Sequence, residues 1–115
     1  DAYYPVPMAE LPSQLKVTRQ TFLVVTSRGS GVDAAGLPPL LESKAAYVGV
    51  IGSKRRWLTT VKALKEKGVS DELIARVHSP MGIELNAETP EEIAVSIMAE
   101  ILMLRDKGTG KMMKG

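Results

Sequence analysis

The chain has 115 residues, a formal net charge of +2, no cysteine and a single histidine, His78. That length supports one domain with one modest core. The absent thiols exclude disulfides, thiolate catalysis and zinc–thiolate sites, and one histidine excludes a multi-histidine metal centre within a single chain.

With 44% hydrophobic and 24% charged residues, the composition is that of an ordinary globular domain. The slight basic surplus does not point to nucleic acid as a partner. No apolar run approaches the roughly 20 residues that a bilayer-spanning helix needs, and no signal-peptide pattern is present. The expected setting is the cytoplasm, with no membrane partner.

Residues 1–20 carry Pro5, Pro7 and Pro12, which break any long helix, and their apolar members are not periodic. They read as an extended N-terminal arm. Residues 21–26, Thr-Phe-Leu-Val-Val-Thr, are β-branched and aromatic, the pattern of a strand. A small, polar, glycine-rich loop, Ser27-Arg28-Gly29-Ser30-Gly31, follows. Asp33 is placed to cap a helix to about Ser43, which Gly36, Pro38 and Pro39 shorten or delay.

Residues 46–51 form a nearly unbroken apolar run, as expected of a strand covered on both faces in a parallel sheet. Gly52 allows a sharp turn, and Ser53 is a good N-cap for a helix through about Lys67. Trp57, Leu58, Val61, Ala63 and Leu64 form its apolar face, and Gly68 stops it. Lys54, Arg55 and Arg56 crowd its first turn, where the helix dipole disfavours cations. A bound anion would relieve that conflict.

Ser70 caps a short helix with Asp71 and Glu72 in its first turn, and residues 76–78 read as a brief edge strand. Residues 79–86 are a loop by their Pro and Gly content. Thr89-Pro90-Glu91-Glu92 is a capping box with proline at the first helical position. Ile93, Ile97 and Ile101, flanked by Ala94, Met98 and Leu102, make a wide stripe that predicts a mostly covered helix. Residues 107–115 are lysine- and glycine-rich and expected to be disordered.

Alternating strands and helices predict an α/β fold: a small parallel-sheet Rossmann-like domain over residues 21–106 with flanking helices. So few strands leave an edge in need of a partner, which predicts a homodimer or a place in a longer chain.

From Phe22 to Arg105 the chain resembles the C-terminal Rossmann-type domain of the xanthine dehydrogenase accessory factor (XdhC/CoxI) family. The run Tyr47-Val48-Gly49-Val50-Ile51-Gly52-Ser53-Lys54-Arg55-Arg56 is similar to the family's Y-V-G-x-I-G-S-[KR]-[KR]-[KR]. Ser79-Pro80-Met81-Gly82-Ile83 is similar to its P-[IV]-G-[LI] loop. Residues 89–101 are similar to its T-P-x-E-I-A-x-S-I-x-A-E-I helix. The resemblance implies a maturation factor, not an enzyme, that binds molybdenum cofactor and helps load it into a client molybdenum hydroxylase such as xanthine or carbon monoxide dehydrogenase.

Three departures stand out. The family's first βα unit, with its G-x-G turn, has no counterpart before Phe22. Where the family has T-H-[DN]-x-x-x-D, Thr26 and Asp33 match the outer positions and the histidine is absent. Asn86 replaces a further glycine and tolerates a left-handed backbone.

The candidate cofactor-binding residues are therefore Gly52, Ser53, Lys54, Arg55 and Arg56 in the second strand–helix turn, and Thr26, Ser27, Arg28 and Gly29 at the end of the first strand. Open α/β sheets place their ligands at such strand ends. Pro80 and Gly82 join them through the resemblance, in which their loop borders the ligand crevice. His78 reads as structural, and Glu100 as either exposed or paired with a basic group. No catalytic or metal-ligating constellation stands out. Two rival readings are an NAD(P)-binding oxidoreductase-like domain, against which the absent G-x-G-x-x-G counts, and a non-catalytic interaction domain.

Overall fold

The computed structural model describes residues 4–27 and 29–114, in two compact units, Asp1–Pro80 and Met81–Gly115. The first unit holds a parallel sheet of β1 (Phe22–Val25), β2 (Tyr47–Val50) and β3 (Val77–His78), in the order β1-β2-β3. Phe22 faces Tyr47 and Val25 faces Val50 across the first pairing, and Val48 faces Val77 across the second. The central strand is buried at all four positions, as its unbroken apolar run requires.

Before β1, a 3-10 turn (Met8–Glu10) leads into one turn of helix, α1 (Leu11–Gln14), with Pro12 in its first turn. The stretch read as an extended arm thus contains two short helical turns, and Met8 and Val17 pack on the core. Helix α2 (Ser30–Glu42) starts three residues before the expected cap and runs through Pro38 and Pro39. Proline 38 cannot donate to the Ala34 carbonyl, and Lys67 Nζ donates to that oxygen instead, at 3.2 Å.

Helix α3 (Lys54–Glu66) is capped by Ser53, whose Oγ accepts the Arg56 N–H at 3.0 Å, and ends before Gly68 at φ +82°. Its buried face is centred on Leu64 and Thr60, with Trp57, Val61 and Ala63 packed alongside. Leu58, assigned to that face by pattern, is 58% exposed. Thr60 is fully buried because its hydroxyl donates to the Arg56 carbonyl at 3.1 Å, which satisfies it without a distant partner. Val25, Leu37, Leu40, Leu41, Val48, Val50 and Leu64 form the core between sheet and helices, closed by Ile74 of α4 (Asp71–Ala75).

Phe22, Tyr47 and His78 stack across the three strands, with ring centroids 5.8 and 4.7 Å apart. His78 is thereby placed in a cross-strand aromatic ladder, as its structural reading anticipates.

In the second unit, α5 (Pro90–Asp106) follows a loop in which Asn86 adopts φ +54°. Its buried stripe is narrower than expected: Ser96, Ile97, Glu100 and Ile101 are covered, whereas Ile93, Val95, Met98 and Leu102 are exposed. A four-residue repeat overshoots the 3.6-residue turn, so Ile93 drifts off the face that Ile97 and Ile101 share.

The capping box is complete, with Thr89 Oγ1 accepting the Glu92 N–H at 3.1 Å and Glu92 Oε1 accepting the Thr89 N–H at 3.0 Å. Backbone hydrogen bonds from Thr89 and Glu88 hold the Glu92 carboxyl below its ordinary value of 4.5. A carboxyl lowered on folding stabilises the folded state above its unfolded pKa, and this contribution is lost as pH falls through the folded one. The difference in urea midpoint between wild type and Glu92→Gln should be largest at neutral pH and should close under acid. A pH-independent difference would assign the cap to geometry alone.

Candidate functional site

The C-terminal ends of β1 and β2 lie side by side, so the loops that follow them meet at one edge of the sheet. Ser27 follows β1, and Gly52 and Ser53 follow β2. Gly52 has φ +153°, and a Cβ there would stand 3.2 Å from Arg56 Cδ. Glycine leaves room for the Arg56 side chain to fold back over the turn.

Folded back in this way, Arg56 Nη2 donates to Asp33 Oδ2 at 2.9 Å, to Ser27 Oγ at 2.7 Å and to the Ser27 carbonyl at 3.0 Å. Ser27 Oγ in turn donates to Asp33 Oδ1. Asp33 is fully buried in the first turn of α2, where a carboxylate also favours the helix dipole, and the Arg56 side chain is 24% exposed. Arg56 Nε is buried without a hydrogen-bond partner among the described residues. The three basic residues of the turn are thus divided: Arg56 is neutralised within the fold, while Lys54 and Arg55 are exposed.

Thr26 is exposed, Ser27 and Gly29 are half-buried, and a Cβ at Gly29 would meet nothing within 4 Å. Arg28 lies outside the described residues. Ser79 Oγ donates to the Val50 carbonyl at 3.1 Å, and a cis peptide follows it into exposed Pro80.

In the second unit, Gly82 adopts φ +109° and its N–H donates to Glu100 Oε1 at 2.8 Å. A Cβ at Gly82 would come within 2.6 Å of Ser96 Oγ, and the Ile83 N–H donates to the Ser96 carbonyl at 3.2 Å. Glu100, which the sequence leaves as exposed or paired with a base, is buried and accepts this backbone N–H. Its place on an otherwise apolar face is the signal that could have found it. Asp33 carries a signal too, since it matches the acid of the family pattern, but its local spacing reads as a helix cap.

Among the described residues no three His, Cys, Asp or Glu side chains group as metal ligands. The polar groups at this corner can neutralise and orient an anion: two exposed cations beside the N-terminus of a 13-residue helix.

The family model described as the XdhC Rossmann domain matches residues 4–101. The chain belongs to the XdhC Rossmann domain family.

This XdhC domain is 36% identical over 99 residues to the uncharacterized protein YqeB of Escherichia coli (strain K12), covering 86% of this chain and 18% of that protein. It is 37% identical to a probable xanthine dehydrogenase subunit of Bacillus subtilis (strain 168), over 59% of this chain and 18% of the relative. It is 33% identical to the molybdenum cofactor insertion chaperone PaoD of Escherichia coli (strain K12), over 56% of this chain and 20% of the relative. The chain therefore spans about a fifth of the length of these curated relatives. Among solved structures, a xanthine dehydrogenase from Bacillus halodurans superposes with a TM-score of 0.69 at 28% identity, covering 91% of this chain and 29% of that one. The parallel three-stranded sheet with flanking helices is thus a Rossmann-like fold shared with a much longer chain.

Proposed function

We propose that this XdhC domain is a non-catalytic part of a maturation factor, binding molybdenum cofactor or a related anionic pterin or nucleotide for insertion into a molybdenum hydroxylase. The names of two relatives, a molybdenum cofactor insertion chaperone and a probable xanthine dehydrogenase subunit, support the role. The observation that carries the site is the division of the basic turn. Asp33 answers the charge of Arg56, and Lys54 and Arg55 remain exposed at a helix N-terminus that favours negative charge.

The residues present suit the phosphate of such a ligand. The Lys54 and Arg55 N–H groups open the helix, where no carbonyl of a preceding turn can receive them. Lys54 supplies a point charge, and Arg55 supplies a bidentate fork. Ser53 is committed to the cap, Gly52 keeps the turn open, and Thr26 and Gly29 flank the same corner. Arg28 is a candidate by its place after the first strand, and Pro80 and Gly82 are candidates by the family resemblance alone. The client would be a molybdenum hydroxylase in the cytoplasm, and the free sheet edge would adjoin a second copy or further chain. Among the described residues no helix is long and apolar enough to cross a membrane.

Calorimetric titration with molybdopterin, NADP and AMP tests the reading. Pterin binding without NADP binding supports it, and the reverse ranking transfers the domain to the nicotinamide class. Joint substitution Lys54→Glu and Arg55→Glu should weaken binding at least tenfold, about 1.4 kcal/mol. Stability should move by no more than about 0.5 kcal/mol, because both side chains are exposed. Unchanged affinity would remove the anion from this turn.

A further inference from the structure

Helix α5 carries a second apolar stripe besides the one it buries. Glu91, Val95, Met98, Leu102 and Arg105 recur at steps of four, three, four and three residues. They therefore line one side of the helix, in the spacing by which two helices pack along a seam. Val95 is 61%, Met98 53% and Leu102 44% exposed, while Ser96, Ile97, Glu100 and Ile101 occupy the covered face. Beside the stripe, Leu85, Ala87, Glu92 and Val95 line a shallow hollow of about 200 Å³, and Leu85 is exposed as well.

The stripe ends in charges of opposite sign. Glu91 stands seven residues before Met98 and Arg105 seven residues after it, and both are exposed. The helix dipole favours these signs in any helix, but it does not account for three exposed apolar side chains in line between them. An apolar seam with an acid at one end and a base equally far along at the other is complementary to its own reversed copy. Turned about Met98, Glu91 of one helix meets Arg105 of the other, and Val95 meets Leu102. A segment of unrelated sequence would match this symmetry only by coincidence, whereas a second copy matches it of necessity. Arg105 donates to the adjacent Asp106 at 3.0 and 3.1 Å, an exposed pair whose exchange for Glu91 of a second copy costs little.

We propose that the side of α5 carrying Val95, Met98 and Leu102 is a self-association surface, on which a second copy of this chain lies antiparallel about a two-fold axis at Met98. Leu102 of each copy then sits beside Val95 of the other, over the hollow lined by Leu85 and Ala87, and the two helix dipoles oppose. One helix face is small against the roughly 800 Å² per partner of a standard interface, so the dimer is weak and concentration-dependent. The surface lies wholly in the second unit and uses none of the residues of the basic turn, so the pairing stands independently of the function proposed above.

Sedimentation equilibrium with the end charges exchanged is the experiment. The wild-type chain should dimerise as its concentration rises. Glu91→Arg and Arg105→Glu, each alone, should weaken dimerisation at least tenfold, because each sets like charges against one another at both ends of the seam. An equal mixture of the two variants should associate as wild type does, since every end then meets its opposite. The chain has no cysteine, so Met98→Cys introduces a single thiol on the two-fold axis. It should oxidise to a disulfide-linked dimer much faster than Lys62→Cys on the exposed side of α3.

A wild-type chain that stays monomeric up to millimolar concentration overturns the proposal. So does a dimer that neither charge reversal weakens, or one that the mixture fails to restore, because another surface or another register would then hold the copies together. If a charge variant does not fold, the cross-link decides, and equal rates for Met98→Cys and Lys62→Cys overturn the proposal.

Discussion

Replacing Asp33 by alanine should lower the stability of this XdhC domain by about 3–5 kcal/mol, the cost of removing one member of a buried ion pair. The carboxylate is fully buried and receives both Arg56 and Ser27, so its loss strands a guanidinium whose Nε is already buried without a partner among the described residues. Urea unfolding of Asp33→Ala, Arg56→Met and the double variant Asp33→Leu, Arg56→Met is the measurement. Each single change leaves a charge without its counter-ion; the double change leaves none, so it should cost less than the sum of the two. Additive losses, or a single loss near 0.5 kcal/mol, would show that the pair is solvated and contributes little. The same variants bear on the site. If Arg56 serves only to position Ser27 and the turn, Arg56→Met will weaken anion binding less than the Lys54, Arg55 double change does.

The second large effect is expected at Arg76. This side chain donates through Nη1 to the Leu41 and Ser43 carbonyls and through Nη2 to the Ala45 carbonyl at 2.7 Å. It thereby closes the C-terminal end of α2, where free carbonyls and the helix dipole both favour a cation, and fixes the entry into β2. Arg76→Met keeps much of the aliphatic stem and removes all three bonds. Hydrogen bonds to charged groups contribute about 1.5–3 kcal/mol each and are not additive here, so a loss of about 3 kcal/mol is expected. Arg76→Lys should recover only part of it, because an ammonium lacks the planar fork that spans separate acceptors. A midpoint within error of wild type for Arg76→Met would show the carbonyls to be satisfied by water.

These two residues also mark how far the sequence can be read. The cap at Ser53, the capping box at Thr89 and Glu92, the strands at residues 21–26 and 46–51, and the left-handed Asn86 are all legible, because each is set by residues within one turn of one another. Pattern reading fails where the backbone satisfies itself through a distant group. Pro38 and Pro39 signal a break, yet α2 continues, because Lys67 takes the carbonyl that proline leaves free. Apolar pattern puts Leu58 inside, yet it is exposed, and Thr60 takes a buried place on the helix instead, because a threonine hydroxyl that bonds back to its own helix can be buried like an apolar group.

The candidate site divides along the same line. The crowding of Lys54, Arg55 and Arg56 against a helix dipole is visible in the sequence and poses a conflict that needs negative charge. The answer for Arg56 lies 23 residues upstream at Asp33, a pairing that no local spacing encodes. The grip of Arg76 is less visible still, since its acceptors are backbone carbonyls, which every sequence carries.

By itself, then, the order of residues determined the alternation of strands and helices, the caps that bound them, and the family whose motifs they spell. Those features depend on interactions within a few residues of chain. Tertiary structure alone decided which cation is neutralised, which remain exposed, and that N-terminal residues such as Met8 and Val17 pack on the core. Each of these depends on groups far apart in sequence that come together only once the sheet has formed.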